Sequence, residues 1–219
     1  MIKVLTNFPI AIDSPDHTHP WGTYRDNSNN NSLMNEIKSF FNNEKVNILD
    51  LGCAGGAFIV SSFINGNLAV GLEGSDYNLV NDNGEQSKQW KEYHNKCLFT
   101  CDISRPFQIV NDYALGAEVD PILFDCIMEW EVLEHIHPDR LDIFFENIKN
   151  HLKPTGIFIG SISMNNDASP GIELHQSIFT EAVWKEKLSQ YFNVSEYKFN
   201  NRLRSEGGSF FILLTQIRK

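Results

Sequence analysis

The segment Val46-Asn-Ile-Leu-Asp50-Leu-Gly52-Cys-Ala54-Gly55-Gly56 constrains the fold of this chain most. An apolar run enters a cluster of small residues, and a helical stretch over Ala57–Ile64 follows. Small residues let the backbone turn sharply and let a ligand approach the main chain without meeting a Cβ. The alternation then repeats. Leu68–Leu72 reads as a second strand, Cys97–Thr100 as a third, Ile122–Met128 as a fourth and Ile157–Ile162 as a fifth. Between the last two, Leu141, Phe144, Phe145, Ile148 and Leu152 recur at spacings of three and four, which predicts a helix over Arg140–Leu152. Lys153-Pro-Thr-Gly156 is expected to stop it, and Phe40, Phe41, Phe144 and Phe145 are core residues by spacing. Thr180 is expected to cap a further helix with Val183, Trp184, Leu188 and Phe192 on one face. Two closing strands, Val194–Phe199 and Ser209–Gln216, are expected to form an antiparallel hairpin across Asn200–Gly208.

Alternating strands and helices, with continuous apolar strands, are the signature of a parallel sheet covered on both faces. The expectation is a three-layer, Rossmann-like α/β sandwich with a mostly parallel seven-stranded sheet and a C-terminal antiparallel hairpin. Ligands of such sheets bind at the carboxyl ends of the strands. The 219 residues and 42% hydrophobic content suit one such domain. It is placed at 32–219, where Leu33, Ile37, Phe40 and Phe41 take up helical spacing behind a Ser32 cap. Residues 1–31 differ: Pro9, Pro15, Pro20, His17, His19, Trp21 and the run Asp26–Asn31 read as an irregular arm. That arm is either a lid over the strand edge or a tail pinned by Trp21.

The informative residues fall at the expected strand ends. Gly52-x-Ala54-Gly55-Gly56 is not the dinucleotide fingerprint G-x-G-x-x-G, which counts against a nucleotide-cofactor oxidoreductase or epimerase. The helix beginning at Ala57 is expected to offer free N–H groups. Glu73, twenty-three residues after Asp50, closes the second strand, where a carboxylate can accept both hydroxyls of an adenosine ribose. Asp102 follows the third strand, where it could take the amine of an adenine. The three together point to a nucleoside-binding site.

These segments, with Phe124–Ile136, resemble the motifs of the class I S-adenosylmethionine-dependent methyltransferases, and most closely the ubiquinone-biosynthesis-like O-methyltransferase group. The resemblance spans about Ser32 to Phe192. It implies that Asp50, Gly52, Ala54 and Gly56 form the methionine-proximal turn, that Glu73 holds the ribose and Asp102 the adenine, and that Glu129, Trp130 and Glu131 border the methionine. Ala54 departs from the family's usual glycine, a change of one methyl that the turn is expected to tolerate.

The second concentration of chemistry is Glu129-Trp130-Glu131-Val-Leu-Glu134-His135-Ile-His137. If a helix begins near Trp130, Glu131, Glu134 and His135 stand at i, i+3 and i+4 on one face. Two carboxylates and an imidazole so placed could share a divalent cation, with His175 as a fourth ligand. This E-x-x-E-H…H pattern resembles the metal site of the small-RNA 2′-O-methyltransferases. The competing readings are a cap at Glu131, a solvated Glu134 and a metal-free general base at His135. His137, before Pro138, is expected at the surface.

The reading is an S-adenosylmethionine-dependent methyltransferase that O-methylates a small polar or carbohydrate-like acceptor, with His135 and Glu134 catalytic. The alternatives are a non-catalytic S-adenosylmethionine-binding subunit and a metal-dependent RNA 2′-O-methyltransferase. Twenty-eight acidic against 18 basic residues give a net charge of −10, and no basic run is present to hold a phosphate backbone. Nucleic acid is therefore not the expected partner. The start of the chain does not read as a signal peptide, and no apolar run approaches the roughly 20 residues of a membrane helix. Cys53, Cys97, Cys101 and Cys126 make no CxxC pair, so a reduced, cytoplasmic setting is expected.

Overall fold

The computed structural model describes residues 1–42, 45–112, 120–169, 171–195 and 209–217. In chain order the strands are β1 (Ile2–Thr6), β2 (Ile48–Leu51), β3 (Ala69–Glu73), β4 (Leu98–Thr100), β5 (Phe107–Asn111), β6 (Asp120–Pro121), β7 (Phe124–Trp130), β8 (Leu152–Ser163), β9 (Ala168–Ser169), β10 (Ile172–Glu173), β11 (Phe192–Ser195) and β12 (Ser209–Ile217). The helices are α1 (Pro15–Thr18), α2 (Trp21–Arg25), α3 (Asn31–Phe41), α4 (Ala57–Ile64), α5 (Tyr77–Val80), α6 (Glu85–Tyr93), α7 (Leu141–His151) and α8 (Glu181–Ser189). Two 3₁₀ turns, Leu133–His135 and Pro138–Arg140, lie between β7 and α7.

Seven strands form one sheet in the order β11-β12-β8-β7-β2-β3-β4. Its five strands from β8 to β4 are parallel, and β12 and β11 add antiparallel at the edge. The strand period of two sorts the core onto both faces. Leu49, Leu51, Val70 and Leu72 belong to a cluster with Phe144, Phe145 and Trp184, whereas Ile48 and Ala69 belong to another with Leu33, Ile37 and Ile59. The chain leaves β2 toward β3 on one side and enters β7 on the other, so a crevice opens at the carboxyl ends of β2 and β7.

The expected three-layer sandwich is thus present, with several local differences. The first α3 turn begins at Asn31 and is capped by Asn30, whose Oδ1 accepts from Leu33 N at 3.0 Å; Ser32 lies inside the helix. Lys153-Pro-Thr-Gly156 does not separate α7 from a strand. It lies in the first part of β8, with Pro154 and Thr155 exposed, beside a register irregularity between Phe124 and Cys126. Phe192 lies in β11 rather than on the face of α8, and Val183 is exposed. Residues 196–208 of the expected hairpin lie outside the described residues. A second, antiparallel sheet β1-β5-β6 has no counterpart in the sequence reading. It arises because Ile2–Thr6, from the supposed arm, pairs along Phe107–Asn111. Among the described residues no helix is long and apolar enough to cross a membrane.

Candidate functional site

The turn after β2 winds through left-handed backbone at Gly52 (φ 80°), Ala54 (φ 48°) and Gly56 (φ 81°). A Cβ on Gly52 would stand 2.6 Å from Val132 Cγ2, so the turn packs directly under the segment after β7. Ala54 occupies a conformation that costs an L-residue roughly 1–2 kcal/mol, which gives a physical reason for glycine at this place in related sequences. The amide groups of the turn are not free, contrary to the sequence expectation. Ala54 N donates to Glu73 Oε2 at 2.9 Å, Gly55 N to the Asp26 carbonyl at 2.9 Å and Ala57 N to Asn27 Oδ1 at 3.1 Å. Asp26 and Asn27 of the arm therefore satisfy the start of α4. The amides that a pyrophosphate would use there are already bonded.

Glu73, at the end of β3, is buried, and its Oε1 accepts from Ser75 N (3.1 Å) and Thr23 Oγ1 (3.3 Å). Burial raises its pKa, against the lowering effect of the Ser75 and Ala54 amides. Asp50 is pushed up to about 8 by burial and by the nearby Asp26 and Glu73 carboxylates. Three acids thus crowd one end of the crevice. Asp102 Oδ1 accepts from Ser104 Oγ at 2.6 Å and Ser104 N at 3.0 Å, while Oδ2 faces Arg105 (3.8 Å) and Arg140 (3.9 Å).

At the other end, β7 runs to Trp130 and no α-helix starts there. Glu131 takes φ 55° and the 3₁₀ turn Leu133–His135 follows, so the expected i, i+3, i+4 face does not form. Ligand-capable atoms of Glu134, His135 and His175 still lie within 4.8 Å of one another; Glu131 is not among them. Glu134 is fully buried, with Oε1 accepting from Ser163 N at 2.8 Å and Oε2 without a hydrogen-bond partner. Burial pushes its pKa up to about 7, despite the opposing charge of His135 and two amide hydrogen bonds. Glu129 is also fully buried: Oε2 accepts from Val132 N at 2.9 Å and Oε1 has no partner. It holds the 3₁₀ turn from beneath.

A cavity of about 690 Å³ connects the two ends. Gly52, Ala54, Glu73, Asp102, Trp130, Glu131, His135 and His175 of the sequence-predicted residues line it. Asp50, Gly56, Glu129 and Glu134 stand behind its wall, and His137 is at its rim and exposed. The arm supplies the residues that the sequence reading did not assign: Asp16, His17, Trp21, Thr23 and Arg25 all face the cavity. Arg25 lies over the Trp21 ring (5.7 Å to the centroid) and the Tyr24 ring (5.6 Å). Asp16 Oδ2 lies 3.0 Å from His135 Nδ1. Burial works against a charged His135, but the Asp16 hydrogen bond and charge outweigh it and the pKa rises. The His175 ring meets His135 edge-on at 4.6 Å between centroids; burial lowers its pKa, and its Nδ1 is 2.5 Å from the Asn165 carbonyl. The one signal for the arm in the sequence was its clustering of His, Asp and Trp. Nothing local points those residues to an edge 119 positions away at His135.

A parallel sheet with two antiparallel edge strands, a glycine turn after its first parallel strand and an acid after its second is the arrangement of a class I S-adenosylmethionine-dependent methyltransferase. The chain belongs to the methyltransferase-domain family, whose model matches residues 25–201. That family is broad and does not single out the ubiquinone-type group. Similar solved structures include an S-adenosylmethionine-dependent methyltransferase from Clostridium acetobutylicum ATCC 824, at 14% identity over 91% of this chain and 97% of that one (TM-score 0.57). Another is the 1,6-didemethyltoxoflavin-N1-methyltransferase of Burkholderia thailandensis, with bound 1,6-didemethyltoxoflavin and S-adenosylhomocysteine, at 17% over 93% and 84% (TM-score 0.56). A third, from Pyrococcus horikoshii OT3, shows 14% over 97% and 96% (TM-score 0.55). At these identities the likeness is one of fold. No curated protein matches the chain.

Proposed function

We propose that the cavity holds S-adenosylmethionine at its Gly52–Glu73 end and a small polar acceptor at its His135 end, whose hydroxyl is methylated. The observation that carries this reading is one continuous cavity with a crowded group of carboxylates at one end and a histidine–carboxylate pair at the other. Burial, with the nearby Asp26 and Glu73 carboxylates, drives Asp50 to about 8. A ligand bearing a sulfonium and an ammonium suits an acidic end of this kind, and Glu73 retains lone-pair capacity for a ribose hydroxyl. Arg25, beside the turn, would take the carboxylate of the methionine end. When bound, the cofactor supplies a methyl on a positively charged sulfur. The protein has to align it with the acceptor, exclude water and take up the acceptor's proton, a role for His135 worth about 10²–10⁴-fold. The Burkholderia enzyme, which holds the small heterocycle 1,6-didemethyltoxoflavin, supports an acceptor of modest size.

A second reading adds a divalent cation at Glu134, His135 and His175. It is favoured by the unpartnered Glu134 Oε2 and by two rings whose Nδ1 atoms are already committed to Asp16 and Asn165. Ligating histidines are oriented in that way by outer partners. Isothermal calorimetry with S-adenosylmethionine and S-adenosylhomocysteine tests the main reading, with micromolar binding expected; absence of binding would refute it. Production of S-adenosylhomocysteine that survives chelation would remove the metal.

A further inference from the structure

The arm does more than cover the crevice. Helix α1 carries Asp16 to His135 Nδ1 at 3.0 Å, with both side chains only partly exposed. The carboxylate is fixed from its own side: Asp16 N donates to Ser14 Oγ (3.2 Å), and Ser14 Oγ donates to Asp16 Oδ2 (3.3 Å). Pro15 at the first helical position restricts the turn further. On either side the arm is anchored. Ala11 N donates to the Gly74 carbonyl at 2.9 Å, Asp13 pairs with Arg140 (3.2 Å) and Arg105 (3.5 Å), and Thr23 reaches Glu73. The other charged and ionisable groups facing His135 are Glu134 on its own turn, and Asp167 and His175 from the segment after β8. None of these three is hydrogen-bonded to the Nδ1 that Asp16 holds.

We propose that Asp16 is the positioning residue for His135: its carboxylate accepts the Nδ1–H, which fixes the imidazole tautomer and leaves the Nε2 lone pair as the working base. The proposal rests on the reading of His135 as the acceptor's base. The acceptor's O–H bond breaks and its proton passes to Nε2, while the electron pair stays on oxygen. That pair forms the new bond to the methyl carbon, and the pair of the broken C–S bond remains on sulfur. The imidazolium that results donates Nδ1–H to Asp16, which stays ionised. Because Asp16 belongs to the arm, the base is set correctly only when the arm lies across the cavity and water is shut out.

The test is the ¹⁵N spectrum of the full-length protein, labelled at histidine, in wild type and in Asp16→Asn. Asparagine can turn its amide NH₂ toward Nδ1 and so favours the opposite tautomer. Wild-type His135 is expected as the Nδ1–H form, and D16N as the Nε2–H form or a mixture. An unchanged His135 signature in D16N overturns the proposal. Asp13→Asn loosens the arm through Arg140 and Arg105 and leaves the carboxylate of Asp16 in place. It is expected to retain the wild-type tautomer, and a D13N spectrum matching D16N would assign the effect to arm docking and overturn the proposal. S-Adenosylhomocysteine production with soluble polyol and phenol probes judges the proposed function separately. A wild type that binds cofactor but transfers nothing would sink that reading, while the ¹⁵N signature still decides the role of Asp16.

Discussion

Replacing Glu134 by Gln removes one ionisable proton from the floor of the site and keeps its carbonyl oxygen for Ser163 N, 2.8 Å away. In the fold, burial pushes the Glu134 pKa from 4.5 to about 7. The folded value is raised, so the favourable contribution of the neutral carboxyl is complete below pH 4.5 and is lost as pH climbs through about 7. The displacement, at about 1.4 kcal/mol per unit, amounts to about 3 kcal/mol by pH 8.5, a large share of the roughly 5–15 kcal/mol that holds a domain folded. Gln has no proton to lose and is spared this cost. Glu129, buried beside it, is raised by burial and by Glu134, and loses the second of these influences in the variant, which adds to the same sign. Urea denaturation with chelator present should therefore show E134Q gaining on wild type by about 3 kcal/mol between pH 4.5 and pH 8.5. Chelation matters because a bound cation would ionise the carboxyl and stabilise it. A variant-minus-wild-type difference that is the same at both pH values would refute the assignment of Glu134 as a protonated, desolvated acid.

Three further outcomes are expected. Gly160→Ala should cost roughly 3 kcal/mol or more in chemical denaturation, because its Cβ would stand 2.5 Å from the Glu129 carbonyl and press on the Glu129 carboxyl, forcing β7 and β8 apart. A melting temperature within one degree of wild type would show that the two strands separate without cost. Ala54→Gly should raise the melting temperature by roughly 1–3 °C, since relief of left-handed strain is partly offset by the extra freedom of glycine in the unfolded chain. A fall would mean that the φ of 48° carries no strain. Glu73→Gln should weaken S-adenosylmethionine binding about tenfold or more by calorimetry, from loss of a charged acceptor at the ribose; unchanged affinity would move the ribose elsewhere.

The central sheet was legible because its strands are continuous apolar runs, and α4 occupies the expected Ala57–Ile64 because a small-residue turn dictates where it must begin. Glu73 and Asp102 could be placed at strand ends from the same pattern. The segment after β7 was not legible. Its spacing suits a helix, but Glu131 is turned into left-handed backbone by a bond from its N–H to the Ser161 carbonyl at 2.8 Å, a contact from the neighbouring strand. Glu129 and Glu134 read as site acids, and in the fold each gives one carboxylate oxygen to an amide beneath the turn, of Val132 and Ser163. Tertiary partners of that kind leave no trace in local periodicity.

The sequence reading left the arm open between a lid and a pinned tail for a related reason, and that reason bears on how the site is entered. Helix α1 buries no residue and α2 buries only Thr23, so neither shows an apolar face. Apart from a Tyr24–Tyr77 ring contact at 5.2 Å, their hold on the domain is polar: Asn78 Nδ2 donates to the Thr23 carbonyl at 2.7 Å, Asn83 Nδ2 to the Tyr24 carbonyl at 3.0 Å, and Gly55 and Ala57 donate to Asp26 and Asn27. Each such bond is worth about 1 kcal/mol net, because water replaces it when it opens. Segments held this way open at a small fraction of the global unfolding free energy, whereas α4 or α7, whose apolar faces are in the core, cannot. On the proposed role of the arm, a cover built from exchangeable hydrogen bonds would lift to admit ligands as large as a nucleoside without disturbing the sheet, and its return would bring Asp16 back to His135, so that closing the cavity and setting the base would be one event.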